Sequence, residues 1–202
     1  MNVCYLIGAG EISSMPTPDS TDLVIAADGG YDHLISHGVR CDVLIGDLDS
    51  IGAVPHGIET IRFPVMKDET DMHLSYLEGA RRGFSSFVIY GGSGGRIDHT
   101  YANFSLMLYG AKRGHRITME APKYTAEVIY NREATINGHH GNTFSVFAFG
   151  SDAHGVSISG AKYNVENVTL TPDFPLGVSN SFEEKNVRIS VHGGALLVIK
   201  ER

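Results

Sequence analysis

Two carboxylates, Asp47 and Asp49, stand one residue apart in the segment Val43–Ile51, directly after an apolar run. On an extended or turning backbone, side chains at positions i and i+2 point to the same side, so both carboxylates face one small volume. Two negative charges at such close range repel each other unless a cation or a proton lies between them. The pair therefore predicts a site for a hard divalent cation, or for phosphate chemistry that uses one.

Further carboxylates follow other predicted strands of the chain. Each comes directly after an apolar strand-like run or in the loop that follows it: Asp28, Asp68, Asp71 and Asp98. In an alternating α/β sheet, ligands bind at the carboxyl ends of the strands. The repetition favours one shared site, although Asp28 taken alone fits a turn residue or a helix cap equally well.

A glycine-rich segment, Gly91–Arg96, follows the fifth predicted strand and reads Gly-Gly-Ser-Gly-Gly-Arg. Glycine adopts positive φ angles easily and lets backbone N–H groups come close to an anion. Arg96 adds a forked cation that matches phosphate oxygens. The segment predicts a phosphate-binding loop. It is not a P-loop, and Gly8-Ala9-Gly10 does not continue to the dinucleotide-binding pattern G-x-G-x-x-G.

The elements that must position these residues alternate between strands and helices in the first part of the chain. Apolar runs predict buried strands of a parallel sheet at residues 2–7 and 23–27, and three further strands are predicted at residues 43–45, 58–63 and 87–90. Periodicity and end signals predict helices near residues 31–37, 70–83 and 98–112. Thr70 is the expected N-cap of the second helix, with Asp71 in its first turn.

Beyond Arg116 the helical periodicity stops, and short β-type runs separated by turn residues take over. These runs cover residues 116–120, 126–130, 143–149, 156–159, 167–170, 187–191 and 195–199. Such spacing is typical of an antiparallel sandwich or barrel. We therefore predict an α/β domain at residues 1–124, followed by an all-β domain at residues 125–202.

Composition narrows the class of protein. The chain has 202 residues and a net charge of −7, which gives no general attraction to nucleic acid. Neither an apolar run of membrane-spanning length nor a secretory signal is evident, so we expect a cytoplasmic protein with no membrane span. Cys4 and Cys41 lack metal-type spacing and are expected to be buried free thiols. No G-x-S-x-G elbow supports a serine hydrolase.

Four motifs stand in order along the chain: Ala27-Asp28-Gly29-Gly30, Ile45-Gly46-Asp47-Leu48-Asp49-Ser50, Asp68-Glu69-Thr70-Asp71 and Gly91-Gly92-Ser93-Gly94-Gly95-Arg96-Ile97-Asp98-His99. Together they resemble the successive motifs of the thiamin pyrophosphokinase family. Gly177–Phe182 and Gly194–Ile199 are similar to the C-terminal region of the same family. The likeness spans nearly the whole chain, and four ordered motifs are far more specific than one.

The resemblance implies a homodimer whose active site is shared between subunits. Each subunit would have an N-terminal Rossmann-like parallel-sheet catalytic domain, followed by a C-terminal all-β sandwich domain that binds thiamin. The family transfers the pyrophosphoryl group of ATP to the hydroxyl of thiamin, which gives thiamin diphosphate and AMP, and it uses Mg²⁺.

Roles for individual residues follow from their positions in the motifs. The metal ligands would be Asp47, Asp49 and Asp71. The residues that hold ATP would be Asp28, Gly29, Gly30, Thr70, Gly91, Gly92, Gly94, Gly95 and Arg96. The catalytic residues would be Asp71, Asp98 and Arg96, with Asp71 or Asp98 orienting or deprotonating the thiamin hydroxyl. Thiamin would be bound by Ser179 and Asn180.

The chain departs from the family pattern at a few positions. It contains no Trp, whereas animal members stack thiamin on a Trp of the second domain, and Tyr163 or Phe182 would replace it here. Tyr31 and Leu48 stand where the family commonly has Ala and Phe.

Two other functions use the same residue types. Phosphoryl-type transfer depends on alignment and on neutralising oxygen charge, for which carboxylate-bound Mg²⁺, Arg and backbone N–H groups are suited. A Mg²⁺-dependent phosphohydrolase acting on a nucleotide or small phosphate ester would need the same parts. A module that senses a nucleotide or thiamin without turnover is the third, non-enzymatic hypothesis.

Overall fold

A computed structural model describes residues 2–47, 57–64 and 66–202 of the chain. The predicted metal ligand Asp49 and its neighbour Leu48 lie outside the described residues. The chain divides into two compact units, Met1–Leu106 with His115–Pro122, and Met107–Gly114 with Lys123–Arg202. These units are groups of residues in contact and do not test the predicted domain boundary between residues 124 and 125, which stays a prediction.

The first unit contains a sheet of six strands. They are β1 Cys4–Ile7, β2 Leu23–Ala27, β3 Val43–Gly46, β4 Glu59–Arg62, β5 Ser86–Tyr90 and β6 Arg116–Glu120. Their order is β4-β3-β2-β1-β5-β6, and every neighbouring pair is parallel. All five residues of β2 are buried, which matches a continuous apolar run in a parallel sheet. The predicted parallel sheet is confirmed.

The strand order reverses beside β1. Strands β1 to β4 extend to one side in chain order, whereas β5 returns to the other side of β1 and β6 follows it. Ligands of open α/β sheets bind at such a switch point, outside the carboxyl ends of the strands. We grouped Arg116–Glu120 with the antiparallel runs, and this was wrong. This segment forms β6, which pairs with β5 in parallel and is therefore part of the first sheet.

Three helices connect these strands: α1 Gly30–Ser36, α2 Asp71–Arg81 and α3 Ile97–Ala111. Thr70 is the N-cap of α2, as predicted, since its hydroxyl oxygen accepts a hydrogen bond from the His73 N–H. A Cβ at Gly79 would lie 2.7 Å from the Cys4 sulfur, so α2 packs very closely on β1. Within the described residues, no helix is both long enough and apolar enough to cross a membrane.

Both cysteines are free thiols, as predicted, but only Cys4 is buried as expected, whereas Cys41 is partly exposed. Burial raises the pKa of Cys4, and it raises the pKa of Cys41 to about 11. Neither side chain is therefore a reactive thiolate at neutral pH.

The second unit contains two antiparallel sheets. Their strands are β7 Tyr124–Tyr130, β8 Glu133–Asn137, β9 Thr143–Ala148, β10 Ala153–Ser159, β11 Val165–Leu170, β12 Asn180–Ser181, β13 Asn186–Ser190 and β14 Ala195–Glu201. The strand orders are β12-β9-β14-β7 and β11-β10-β13-β8. One cluster of buried side chains draws on both sheets, with Val146 from one and Ile189 from the other. The fold is thus mixed α/β with additional antiparallel β structure, as expected at that level.

An ion-pair network joins the end of α2 to the edge strand β4. The carboxylate of Glu78 accepts hydrogen bonds from Arg81 and Arg82, at 2.7 to 2.8 Å, and Arg82 also contacts Glu59 at 2.6 Å. The bonds from Arg81 and Arg82 lower the pKa of Glu78 to about 2, although its burial acts in the opposite direction. Because α2 begins with Asp71, this network helps to fix the helix that carries a predicted site residue.

We predict that Glu78→Gln lowers the free energy of unfolding by about 1–2 kcal/mol at pH 7, because Arg81 loses its anion and Arg82 keeps only the more exposed Glu59. The folded pKa lies below the unfolded value of about 4.3, so this stabilisation is present above that pH and is lost as the pH falls towards 2. Urea unfolding at pH 7 and at pH 3 measures both effects. The matched control, Glu59→Gln, removes only the more exposed ion pair and should cost about 0.5 kcal/mol. An equal loss for Glu78→Gln at both pH values would contradict the prediction.

Candidate active site

A cavity of about 720 Å³ opens at the carboxyl ends of the parallel strands, within the first unit. This volume lies in the range of small-molecule sites, about 300–1,000 Å³. The described residues around it come from the ends of strands β1, β2, β3 and β5 and from the starts of helices α2 and α3. The main contributors are Gly8–Glu11, Asp28, Asp47, Glu69–Met72 and Gly91–Arg96.

Two glycine-containing segments, Gly8–Glu11 and Gly91–Arg96, lie side by side at the switch point and form what we call the glycine clasp. Two main-chain hydrogen bonds of 2.7 to 2.9 Å join them, Gly10 N to Gly91 O and Glu11 N to Ser93 O, and Gly8 N donates a third, of 2.8 Å, to the carbonyl oxygen of Tyr90 at the end of β5. A Cβ at Gly10 would lie 2.3 Å from the Ser93 carbonyl oxygen, and one at Gly91 would lie 2.2 Å from that of Gly8. The clasp therefore requires glycine on both segments.

The Gly91–Arg96 loop has backbone N–H groups available to a ligand. Within the part of the chain that the structure describes, the N–H groups of residues 92–95 donate no hydrogen bond to another residue. Gly94 and Gly95 have φ angles of +85° and +66°. Consecutive N–H groups in such conformations form a concave nest that attracts anions. The conformation of the loop is compatible with binding phosphate oxygens, and its predicted role in phosphate binding stays a prediction.

Two side chains on helices donate hydrogen bonds to carbonyl oxygens of the clasp. The buried amide of Asn103, on α3, donates a hydrogen bond of 2.7 Å to the Gly92 carbonyl oxygen. The ring Nε2 of His33, on α1, donates one of 2.9 Å to the Gly10 carbonyl oxygen. Carbonyl oxygens of the clasp are thereby engaged with protein donors, while the N–H groups of the loop remain for an anion. Sequence analysis missed both residues, because their contact with the loop is long-range.

Three of the predicted acids, Asp28, Asp47 and Asp71, line this cavity. Asp28 has a positive φ of 44°, which costs about 1 kcal/mol or more for a non-glycine residue and is typical of functional sites. Its backbone N–H donates to the Ile45 carbonyl oxygen at 2.7 Å, so the ends of β2 and β3 fix this conformation. The parallel sheet thus brings together acids that are far apart in sequence.

The donor set around the cavity fits Mg²⁺. In the described parts of the chain, no three His, Cys, Asp or Glu side chains are close enough to hold a metal ion by themselves. Mg²⁺ usually takes one or two protein carboxylates and fills its other positions with water and substrate phosphate oxygens. Asp47 and Asp71, hard oxygen donors that face the same cavity as the anion-binding loop, meet that requirement.

Some predicted residues lie beside the cavity and do not line it. Asp98 pairs with Arg96 at 2.6 Å, and the hydrogen bond from Arg96 lowers the pKa of that carboxylate. Arg96 lines the cavity, whereas Asp98, Gly29 and Gly30 are not among its lining residues. A Cβ at Gly30 would lie 1.9 Å from the Ile7 carbonyl oxygen, so this glycine lets α1 begin against the end of β1.

The predicted thiamin residues lie in the second unit. Asn180 is buried, and its amide holds the backbone of Tyr163 by accepting from its N–H at 3.0 Å and donating to its carbonyl oxygen at 2.9 Å. Ser179 has a positive φ of 58°. Of the two candidates to replace the family's Trp, Phe182 is fully buried against Phe144, whereas the Tyr163 side chain is 59% exposed. Tyr163 alone of these two offers a ring face to a ligand.

We predict that Gly10→Ala lowers the affinity for ATP, the expected ligand of the loop, by about tenfold or more. The new methyl group must push away the carbonyl oxygens of Gly91 and Ser93, which shifts the N–H groups of the loop. Calorimetric titration with ATP and Mg²⁺ checks this. Gly193→Ala is the matched control, since its Cβ would meet its nearest atoms at ordinary distances of 3.7 and 3.8 Å. Unchanged ATP affinity in Gly10→Ala would show that the clasp does not shape the binding site.

Comparison with known proteins tests the resemblance. The family model "Thiamin pyrophosphokinase, catalytic domain" matches residues 17–119, and "Thiamin pyrophosphokinase, vitamin B1 binding domain" matches residues 128–196. The chain is 25% identical over 189 residues to a thiamine pyrophosphokinase of Bacillus subtilis (strain 168), which covers 90% of this chain and 88% of that protein.

Solved structures give the same result for the fold. The crystal structure of a Bacillus subtilis thiamine pyrophosphokinase is similar with a TM-score of 0.89 and 23% identity, over 100% of this chain and 99% of that one. The yeast thiamin pyrophosphokinase is similar with a TM-score of 0.76 and 16% identity, over 100% of this chain and 86% of that one. Because both family models match in order and cover most of the sequence, this chain belongs to the thiamin pyrophosphokinase family.

Proposed function

We propose that this chain transfers the pyrophosphoryl group of ATP to the hydroxyl of thiamin, and that the cavity of the first unit binds the phosphates of ATP. The observation that carries the proposal is the nest of N–H groups at residues 92–95, which lines the same cavity as Asp47 and Asp71. An anion-binding loop that faces a set of acids suits a phosphate chain that brings its own divalent cation.

The acids of the cavity would hold Mg²⁺, with Asp49 as a further ligand from the same motif as Asp47. When bound, Mg²⁺ would neutralise phosphate oxygens and make the β-phosphorus easier to attack. The residues of this chain align the nucleotide: the loop N–H groups and Arg96 bind phosphate oxygens, and Asp28 and Thr70 stand at the cavity wall.

The two acids predicted to act on the thiamin hydroxyl differ in surroundings. The bond from Arg96 lowers the pKa of Asp98, which makes Asp98 a poor proton acceptor and a good anchor for that guanidinium group. We therefore assign Asp98 to positioning Arg96. Asp71, which lines the cavity, is the better candidate for orienting the hydroxyl.

The second unit is proposed to bind thiamin through Tyr163, whose backbone Asn180 holds, and through Ser179. The ammonium group of Lys162 lies 5.5 Å from the centroid of the Tyr163 ring, so a cation can reach this face, and a cationic ligand would take the place of Lys162 there. Thiamin carries a cationic thiazolium ring and a flat pyrimidine, and both suit an exposed aromatic face. A Rossmann-like first domain, a β-sandwich second domain, a homodimer with a shared site and a cytoplasmic location complete the proposal.

Product analysis tests the reaction directly. The protein is incubated with ATP, Mg²⁺ and thiamin, and the products are separated by chromatography. We expect AMP and thiamin diphosphate in equal amounts, no AMP when thiamin is omitted, and no reaction when EDTA removes the metal. Release of AMP, ADP or phosphate without thiamin would support the phosphohydrolase instead, and binding of ATP without any product would support the sensing module.

We predict that Tyr163→Ala raises the KM for thiamin by about tenfold, because stacking on an aromatic ring contributes about 1–3 kcal/mol per base. The KM for ATP should stay within about twofold, since Asn180 holds the Tyr163 backbone through main-chain atoms that the variant keeps. Steady-state kinetics with each substrate varied in turn measures both constants. Tyr163→Phe keeps the ring and should behave like the wild type. An unchanged KM for thiamin in Tyr163→Ala would remove this residue from the thiamin site.

A further inference from the structure

The side chain of Lys67 is largely buried and carries a positive charge at the wall of the cavity. Its Nζ lies 2.6 Å from Oδ1 of Asp71, and its side chain is only 12% exposed. The centroid of the Phe63 ring lies 5.8 Å from the same ammonium group. An ion pair and an aromatic ring thus contact the cation at the cavity wall.

The start of helix α2 favours negative charge, yet Lys67 precedes its N-cap Thr70 by three residues. Asp71 balances the charge of the ammonium group. An ammonium group has three N–H donors, and within the described residues Asp71 accepts a hydrogen bond from one of them. The other donors can serve an anion that arrives with the ligand.

The charges around the cavity point the same way. The described lining residues include five acids, Glu11, Asp28, Asp47, Glu69 and Asp71. The Lys and Arg side chains among the described lining residues are those of Lys67 and Arg96. Arg96 is 72% exposed and paired with Asp98, whereas Lys67 is largely enclosed. Of these two cations, Lys67 is thus the one beside the proposed metal-binding carboxylates.

We propose that Lys67 binds the pyrophosphoryl group that is transferred, and that Asp71 holds its ammonium group ready for those oxygens. The inference rests on the proposed function. The Mg²⁺ ion that Asp47 and Asp71 would hold would neutralise oxygens of the phosphates that are transferred. Because Lys67 contacts Asp71, a proposed ligand of that cation, its ammonium group is placed for the β- and γ-phosphates and not for the α-phosphate that remains in AMP.

Binding of ATP and of AMP, measured by calorimetry with Mg²⁺ and without thiamin, tests this. We expect Lys67→Met to weaken ATP binding by about ten- to a hundredfold, since a hydrogen bond to a charged group is lost. AMP binding should stay within about twofold of the wild type. Lys67→Arg should recover part of the ATP affinity. Lys123→Met removes an exposed lysine of the second unit and should bind both nucleotides like the wild type.

Equal losses for ATP and AMP in Lys67→Met, or no loss for ATP, would overturn the inference. Titration with Mn²⁺ in the absence of nucleotide shows whether Lys67→Met acts by changing the affinity of Asp71 for the metal ion. Mn²⁺ affinity should be unchanged or tighter in Lys67→Met, because a carboxylate is freed, and a loss as large as that for ATP would also overturn it. If the wild type itself bound ATP but formed no thiamin diphosphate, the proposed function would fail while the comparison of ATP with AMP would still decide the role of Lys67.

Discussion

The glycine clasp is the contact on which the rest of the site depends. Strands β1 and β5 are neighbours at the point where the order of the sheet reverses, so the segments that leave them must pass each other at backbone distance. Two main-chain hydrogen bonds join the segments and engage carbonyl oxygens, while His33 and Asn103 engage others. The N–H groups at residues 92–95 remain for a ligand. The proposed phosphate-binding surface would therefore arise from how the backbone packs, before any charged side chain is considered.

Charged side chains surround the uncharged N–H groups of the loop. Parallel strands end at the same edge, which brings Asp28, Asp47 and Asp71 to one cavity. Those acids would repel a bare phosphate chain, and the site becomes favourable when a divalent cation accompanies the nucleotide. Lys67 and Arg96 line the same cavity, and in the proposed function they would offer positive charge to the phosphate oxygens. The cavity would then favour a metal–nucleotide complex over a free anion.

Sequence predicted the parts of this site that local patterns encode. Buried apolar runs revealed the strands of the first sheet, Thr70 revealed the start of α2, and acids at strand ends marked the cavity edge. Strand order is not local, so the partnership of Gly8–Glu11 with Gly91–Arg96 was missed, and the first segment was set aside because it lacks a dinucleotide-binding pattern. No local pattern marked Lys67, because only the fold shows that it is enclosed beside Asp71. Short strands such as β12, with two residues, carry too little pattern to be recognised.

Amide hydrogen exchange at residues 92–95 reports directly on whether the N–H groups of the loop bind the phosphates of ATP. We predict that ATP with Mg²⁺ slows the exchange of these amides, since phosphate oxygens accept their hydrogen bonds, and that thiamin alone does not. Exchange at these residues that is the same with and without ATP, under conditions where calorimetry shows ATP to be bound, would contradict it.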